Sequence, residues 1–235
     1  MERRKIIAVL FDIGGPLVDE SPDELHGYEV IGSVLSRELG CKISDEEIDR
    51  ARDFAIRSWA PSLTSSILWQ FLKPDREKWR VIREEVLREV YTWREDIRLT
   101  EGVAEILPAL YEKYTLALAG NQPEYIKPKL ERSGVLKYFA FSRISEEMGL
   151  SKPDTRFFLE ICKSIDVKPE NCCMIGDRFD NDIWPANILG MKTIRFRTGP
   201  HAVQKPRVPD DMPDAEIDSM TDVPVVLERF ENEGS

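Results

Sequence analysis

Histidine and cysteine are scarce in this chain of 235 residues, with two of the first and four of the second. His26 and His201 have no evident Ser, Cys or acidic partner in the sequence, which argues against a Ser-His or Cys-His triad. Cys41, Cys162, Cys172 and Cys173 lack the paired spacing of a zinc site. They are expected to be buried small hydrophobes in a reducing compartment. Positive charge is in deficit: Lys and Arg total 33 against 43 Asp and Glu, a net charge of −10. A nucleic-acid backbone or an anionic membrane needs the opposite balance, so neither is an expected partner. No apolar run approaches the length of a membrane span. The opening "MERRKIIAVLFD" is basic, but its apolar stretch is too short for a signal peptide. These absences read as a cytoplasmic protein, and no internal repeat interrupts it; monomer or homodimer is the expected state, on which the sequence itself is silent.

What is present is alternation. Ile6 to Phe11 is a continuous apolar run, the pattern of a strand covered on both faces of a parallel sheet. Similar runs recur at Leu116 to Ala119, Cys172 to Ile175 and Thr193 to Phe196, with a weaker one at Phe139 to Phe141. Between them lie helical faces, among them Val103, Ile106, Leu107 and Leu110, and Phe157, Phe158, Ile161, Cys162 and Ile165. Strands alternating with helices predict an α/β fold with a doubly wound parallel sheet. The stretch "RTGPHAVQKPRVPDDMPDA" reads as a surface loop. Ile217 is expected to close a short edge strand, Pro224 to Phe230 a last helix, and "ENEGS" to fray.

Between Leu17 and about Ile97 only helical patterns occur. Ser21-Pro22-Asp23-Glu24 has the form of a capping box with proline at the first helical position, and Gly40 is the stop. Ser44 to Glu47 repeats the box. Ser62 to Leu72 and Asp75 to Tyr91 supply two more helices, separated by Lys73-Pro74. Trp59, Trp69 and Phe71 are expected in the core of this insert. The predicted division is a core of residues 1–16 and 98–235 with an all-helical cap domain of residues 17–97. The cap is inserted after the first strand, on the side where open parallel sheets place ligands.

Four stretches stand at predicted strand ends: Asp12, Gly120-Asn121, Lys152 in "GLSKPD", and "GDRFDND". In a parallel sheet these ends share one edge. Asp12, Asp177 and Asp182 are hard oxygen donors suited to Mg²⁺, and a lysine adds a point charge for phosphate and carboxylate oxygens. Asn121 and nearby backbone N–H groups are expected at the start of a helix with Pro123 in its first turn, as neutral donors to the same oxygens. Asp180 and Asn181 are expected to cap the helix that follows. The set describes phosphoryl transfer through an aspartyl intermediate.

These stretches resemble the four motifs of the haloacid dehalogenase-like (HAD) hydrolase superfamily. "AVLFDIGGPLVDE" is similar to its first motif, "LALAGN" to the second, "GLSKPDTRFF" to the third and "CCMIGDRFDNDIWPANILGMKTI" to the fourth. The match runs in order from Lys5 to Phe196, and the helical insert corresponds to the family's cap. The resemblance implies a HAD-like Rossmannoid core, Mg²⁺ as cofactor and a small phosphorylated metabolite as partner. It implies Asp12 as nucleophile and metal ligand, and the Gly14 carbonyl as a second ligand. Asp177 would bind the ion directly, and Asp182 would ligate it or orient a water. Lys152 would bridge Asp12 and the transferring group, while Gly120 and Asn121 would bind phosphoryl oxygens.

Two departures qualify this reading. Phosphatase members carry a second aspartate, the general acid and base, where this chain has Gly14. They carry Ser or Thr where it has Gly120, and Thr where it has Pro16. Losing a general acid–base costs roughly a hundred- to ten-thousand-fold in rate. The expected function is a phosphatase-type hydrolase using an easily expelled leaving group, such as an acyl phosphate, or an acid borrowed from the cap, Asp19 or Glu20. The alternatives are a catalytically impaired protein that binds metal and a phospho-ligand or protein partner, and, further off, a phosphonate or carbon–halogen hydrolase.

Overall fold

The computed structural model describes residues 5–93 and 96–233. In chain order the elements are β1 (Ala8–Phe11), α1 (Ser21–Leu39), α2 (Asp45–Arg57), α3 (Leu63–Leu72), α4 (Arg76–Thr92), α5 (Val103–Lys113), β2 (Thr115–Leu118) and α6 (Ile126–Arg132). They continue with β3 (Phe139–Phe141), α7 (Ser145–Met148), α8 (Thr155–Ser164), β4 (Cys172–Gly176), α9 (Trp184–Ile188), β5 (Lys192–Phe196), β6 (Ala215–Ile217) and α10 (Val223–Glu233). The chain divides into two compact units, residues 1–19 with 96–235, and residues 20–95. Leu17 to Asp19 belong to the first unit because they pair with its chain: Val18 bridges Leu99, and the Thr100 and Asp19 N–H groups donate to the Leu17 and Arg98 carbonyls.

The first unit carries a six-stranded sheet in the order β3-β2-β1-β4-β5-β6. Every pairing is parallel. Its central strand is fully buried and uses both faces. Val9 and Phe11 pack with Val103, Leu107, Val223 and Leu227 of α5 and α10. Ala8 and Leu10 turn the other way, onto Phe157, Phe158 and Ile161 of α8 and Ala186 of α9. The sheet is therefore doubly wound, as the continuous apolar runs require. Burying Phe157 or Phe158 contributes about 2 to 3 kcal/mol each, against about 1 kcal/mol for a helix cap, so the sheet is held by its two cores. The chain builds outward from β1 to β3 and then crosses to β4 on the other side of β1. That places the topological switch at the carboxyl ends of β1 and β4.

The second unit has its own core, in which Ile31 and Leu35 of α1 meet Ile48 of α2, Leu68 of α3 and Val86 of α4. Ser44 caps α2 with a complete capping box, Ser62 and Asp75 cap α3 and α4, and Gly40 ends α1 with φ 67°. The start expected at Ser21 is shifted: Glu20 holds the N-cap with φ −84° and ψ −4°, its side chain makes no cap hydrogen bond, and Ser21 is already helical. Trp69 meets Trp79 edge to face and Phe71 packs against the core, whereas Trp59 is half-buried with φ 57°.

Other expectations are corrected. The stretch after β5 is not all surface: His201 and Asp211 are buried, and Asp211 accepts two bonds from the Arg207 guanidinium. Glu231 and Asn232 continue α10 rather than fray, while Gly234, Ser235 and the basic residues 1–4 lie outside the described residues. Cys162, Cys172 and Cys173 are buried and form no disulfide, and Cys41 is exposed. His26 does have an acidic neighbour, Glu29 at 3.9 Å one helical turn on. Among the described residues no helix is long and apolar enough to cross a membrane.

Candidate active site

Asp12 follows β1 directly, and its N–H continues the ladder by donating to the Ile175 carbonyl of β4. Asp177 follows Gly176, the last residue of β4. Because Phe11 and Ile175 are in register, the two aspartates emerge side by side at the switch point. Asp182 reaches the same place from a π-helical turn, Phe179–Ile183, a distortion that often accompanies functional sites. One carboxylate oxygen from each of Asp12, Asp177 and Asp182 lies within 4.8 Å of the others.

The position of Asp182 explains Gly176. A Cβ at residue 176 would stand 2.3 Å from the Asp182 Cβ and 2.5 Å from its Oδ2, so only glycine lets this fully buried carboxylate lie against the strand. Its Oδ2 accepts the Arg178 N–H at 3.0 Å. Asp180 pairs with the Arg178 guanidinium at 2.7 Å, and the residue preceding α9 makes no side-chain cap bond, so the expected capping by Asp180 and Asn181 does not occur.

Lys152 arrives on the loop between α7 and α8. Its ammonium, almost wholly buried, stands 2.8 Å from Asp12 Oδ1 and 2.6 Å from Asp182 Oδ1. Asp12 Oδ1 also accepts the Ile13 N–H at 2.7 Å. Burial pulls the Lys152 pKa down, but the two carboxylates outweigh it and hold the ammonium charged. Burial, and the Asp12 charge beside it, push the Asp182 carboxyl up to about 6 against the pull of Lys152. One ammonium thus does not balance three carboxylates. Among these four groups carboxylates are in excess, and the donors are the hard oxygens that Mg²⁺ prefers. The residues fit such an ion.

The Asn121 side chain makes a contact that was not expected of it. Its carboxamide accepts the Lys152 N–H and donates to the Lys152 carbonyl, each at 2.8 Å. Helix α6 begins only at Ile126, so neither Gly120 nor Asn121 stands at a helix N-terminus. The carboxamide instead clamps the loop that carries Lys152. Gly120 is buried, and a Cβ there would stand 2.4 Å from Ile13 Cδ1 and 2.7 Å from Cγ1. Gly15, with φ 82°, supplies the left-handed turn after Asp12, and Gly14 bridges Val18.

Arg195 escaped the sequence reading. It sits within the apolar strand β5, yet it is 2% exposed and reaches the Asp177 carbonyl. The available signal was a lone arginine inside a run otherwise fit for burial.

A doubly wound sheet with an aspartate at its central strand end, two more beside it and a lysine between them defines an acid-clustered α/β enzyme site. The model of the haloacid dehalogenase-like hydrolases matches residues 6–190, and the chain belongs to that family. A glyceraldehyde 3-phosphate phosphatase from Methanopyrus kandleri is 46% identical over 90 residues, 38% of this chain and 39% of that protein. The matched stretch thus spans about two fifths of that relative. An N-acetylmuramic acid 6-phosphate phosphatase from Pseudomonas putida is 24% identical over 201 residues, 83% of this chain and 84% of the relative. The crystal structure of a HAD phosphatase from Thermococcus onnurineus superposes with a TM-score of 0.66 at 24% identity, covering 94% of this chain and 98% of that one.

Proposed function

We propose that the protein is a Mg²⁺-dependent phosphoryl hydrolase acting on a small phosphorylated metabolite, with Asp12 as nucleophile. The observation that carries this reading is the Lys152 ammonium held between Asp12 and Asp182 beside a third carboxylate. A nucleophilic anion must approach an anionic phosphoryl group, and such transfer depends on positioning and on charge already in place. Asp12, Asp177, Asp182 and the Gly14 carbonyl would hold Mg²⁺, which when bound neutralises the site and the transferring phosphoryl oxygens. Asp12 is oriented by the Ile13 N–H and Lys152. Its oxygen forms a bond to phosphorus while the leaving oxygen departs with its electron pair. Water then cleaves the aspartyl phosphate to inorganic phosphate and regenerates Asp12. Lys152 offsets charge on the carboxylate and the phosphoryl oxygens throughout. Asn121 acts by fixing Lys152, and the backbone N–H groups of Gly120 and Asn121, with the second Nδ2 hydrogen, would donate to phosphoryl oxygens. The helical unit of residues 20–95 takes the part of the cap domain in this reading. The phosphatase names of the relatives agree with this chemistry.

Gly14 supplies no acid, and Asp19 is engaged by the Arg98 guanidinium. The favoured substrates are therefore those whose leaving group needs little protonation, an acyl phosphate above all. The test is phosphate release from acyl phosphates and phosphate esters with Mg²⁺. Acyl phosphates are expected to turn over above an Asp12→Asn control, and Gly14→Asp to raise the rate on esters. No release from either class would overturn the hydrolase reading. It would favour the second one, a binding protein with impaired turnover, which is supported by Gly14 and by Ile13 filling the space beside Gly120. A beryllofluoride adduct on Asp12 without phosphate release is the expected signature of that second reading.

A further inference from the structure

We propose that Arg195 is a positioning residue that orients the 177–178 peptide and, through it, the carboxylates of Asp177 and Asp182. The inference rests on the reading of those two residues as metal ligands.

A guanidinium in the interior is costly unless every arm finds a partner, and a methionine of similar volume would fill β5 without that cost. Arg195 has all its arms engaged. Nη1 donates to Glu216 Oε1 of β6 at 2.7 Å, and Nη2 to the His201 carbonyl at 2.8 Å. Nε donates to the Asp177 carbonyl at 3.2 Å. The guanidinium carbon lies 3.8 Å from the centre of the Phe179 ring, within cation–π range. Two of these contacts hold the backbone and the beginning of the π-helical turn, and the other two tie that hold to β6 and to the turn after β5.

The geometry becomes specific at one peptide bond. The Asp177 carbonyl that accepts from Arg195 and the Arg178 N–H that donates to Asp182 Oδ2 are the two ends of the same planar unit. Fixing the carbonyl fixes the direction of the N–H, and a donor on the carbonyl polarises the peptide so that its N–H donates more strongly. The same plane sets the Cα of Asp177, from which its own carboxylate projects. Arg195 touches neither carboxylate, but it controls the element on which both depend. Groups that orient metal ligands in this way typically change metal affinity or activity by roughly ten- to a hundred-fold when replaced.

The experiment is Mn²⁺ binding, followed by electron paramagnetic resonance, to the full chain and to Arg195→Met, Arg195→Lys, Glu216→Gln and Asp177→Asn, with circular dichroism as the check on folding. Wild type is expected to bind and Asp177→Asn to lose binding. Arg195→Met is expected to bind roughly ten- to a hundred-fold more weakly with its fold retained. Arg195→Lys, which keeps the charge but not the fork, should also weaken binding and serves alone if the methionine variant does not fold. Glu216→Gln leaves the bond to the Asp177 carbonyl in place and should bind like wild type; if Arg195 merely balanced charge in the fold, this variant would be as impaired as Arg195→Met. Wild-type affinity in both Arg195 variants, with binding still lost in Asp177→Asn, overturns the positioning role and leaves the metal site standing. Undiminished binding in Asp177→Asn, or none in wild type, overturns the metal reading and the inference with it.

Discussion

A hydroxyl residue at position 120 would collide with Ile13, whose Cδ1 and Cγ1 occupy the space within 2.7 Å of where the new Cβ would stand. The missing hydroxyl is therefore not an isolated substitution: Gly120 and the fully buried Ile13 share one volume. Gly120→Ser alone is expected to destabilise the protein by about 1 to 3 kcal/mol through overpacking. Ile13→Ala alone should cost about 2 to 5 kcal/mol by opening a cavity. Combined, the serine fills space that the alanine vacates, so the double variant should be more stable than the sum predicts by at least about 0.5 kcal/mol. Urea unfolding of the four proteins gives the coupling, and strict additivity would show that the two sites do not compete. That Gly120 lacks a hydroxyl is legible in the sequence. The reason is not, because the occupant of the space sits over a hundred positions earlier in the chain. Asn121 hid its partner in the same way, since an amide that binds backbone leaves no trace in the residue types around Lys152.

Elements were legible in proportion to how much of their pattern is local. The runs at Ile6 to Phe11 and Cys172 to Ile175 announce strands buried on both faces, and β1 and β4 follow from them. Helix starts depend on one residue's backbone as well as its side chain. Ser44 has the extended N-cap geometry, φ −85° and ψ 159°, and its oxygen accepts from Glu47 N–H while the Glu47 carboxylate accepts the Ser44 N–H. Glu20, in helical geometry, displaces the start that Ser21 seemed to mark. Ser44→Ala is accordingly expected to cost about 1 kcal/mol of the stability of the helical unit. Chemical denaturation followed by helical ellipticity measures it, and no change would mean that the box contributes nothing there. The turn after β4 lay beyond such local reasoning. "GDRFDND" marks the acids, but its π-helical path is set by Asp182 folding back on Gly176 and by Arg195 beneath Phe179.

For the whole molecule, the charge that makes the site useful also opposes folding. Three carboxylates and one ammonium gather at the switch point, and burial first, then the Asp12 charge, raise the pKa of Asp182 there. Functional sites commonly carry such a cost in stability. A divalent cation bound there would reverse it by mass action, adding about 2.7 kcal/mol at a concentration a hundred times its dissociation constant. All the donor side chains belong to the unit of residues 1–19 and 96–235, so the gain should appear there and leave the helical unit unchanged. Asp177→Asn sharpens the argument because it removes both the repulsion and the ligand. In chelator it should unfold at a higher temperature than wild type, since one anion of the cluster is gone. In excess Mg²⁺ it should unfold lower, since only the wild type gains from the ion. The two proteins would therefore exchange rank between the two conditions, which calorimetric scans of each in both buffers would record. A fixed rank order would mean that Asp177 either does not burden the empty cluster or does not hold the ion.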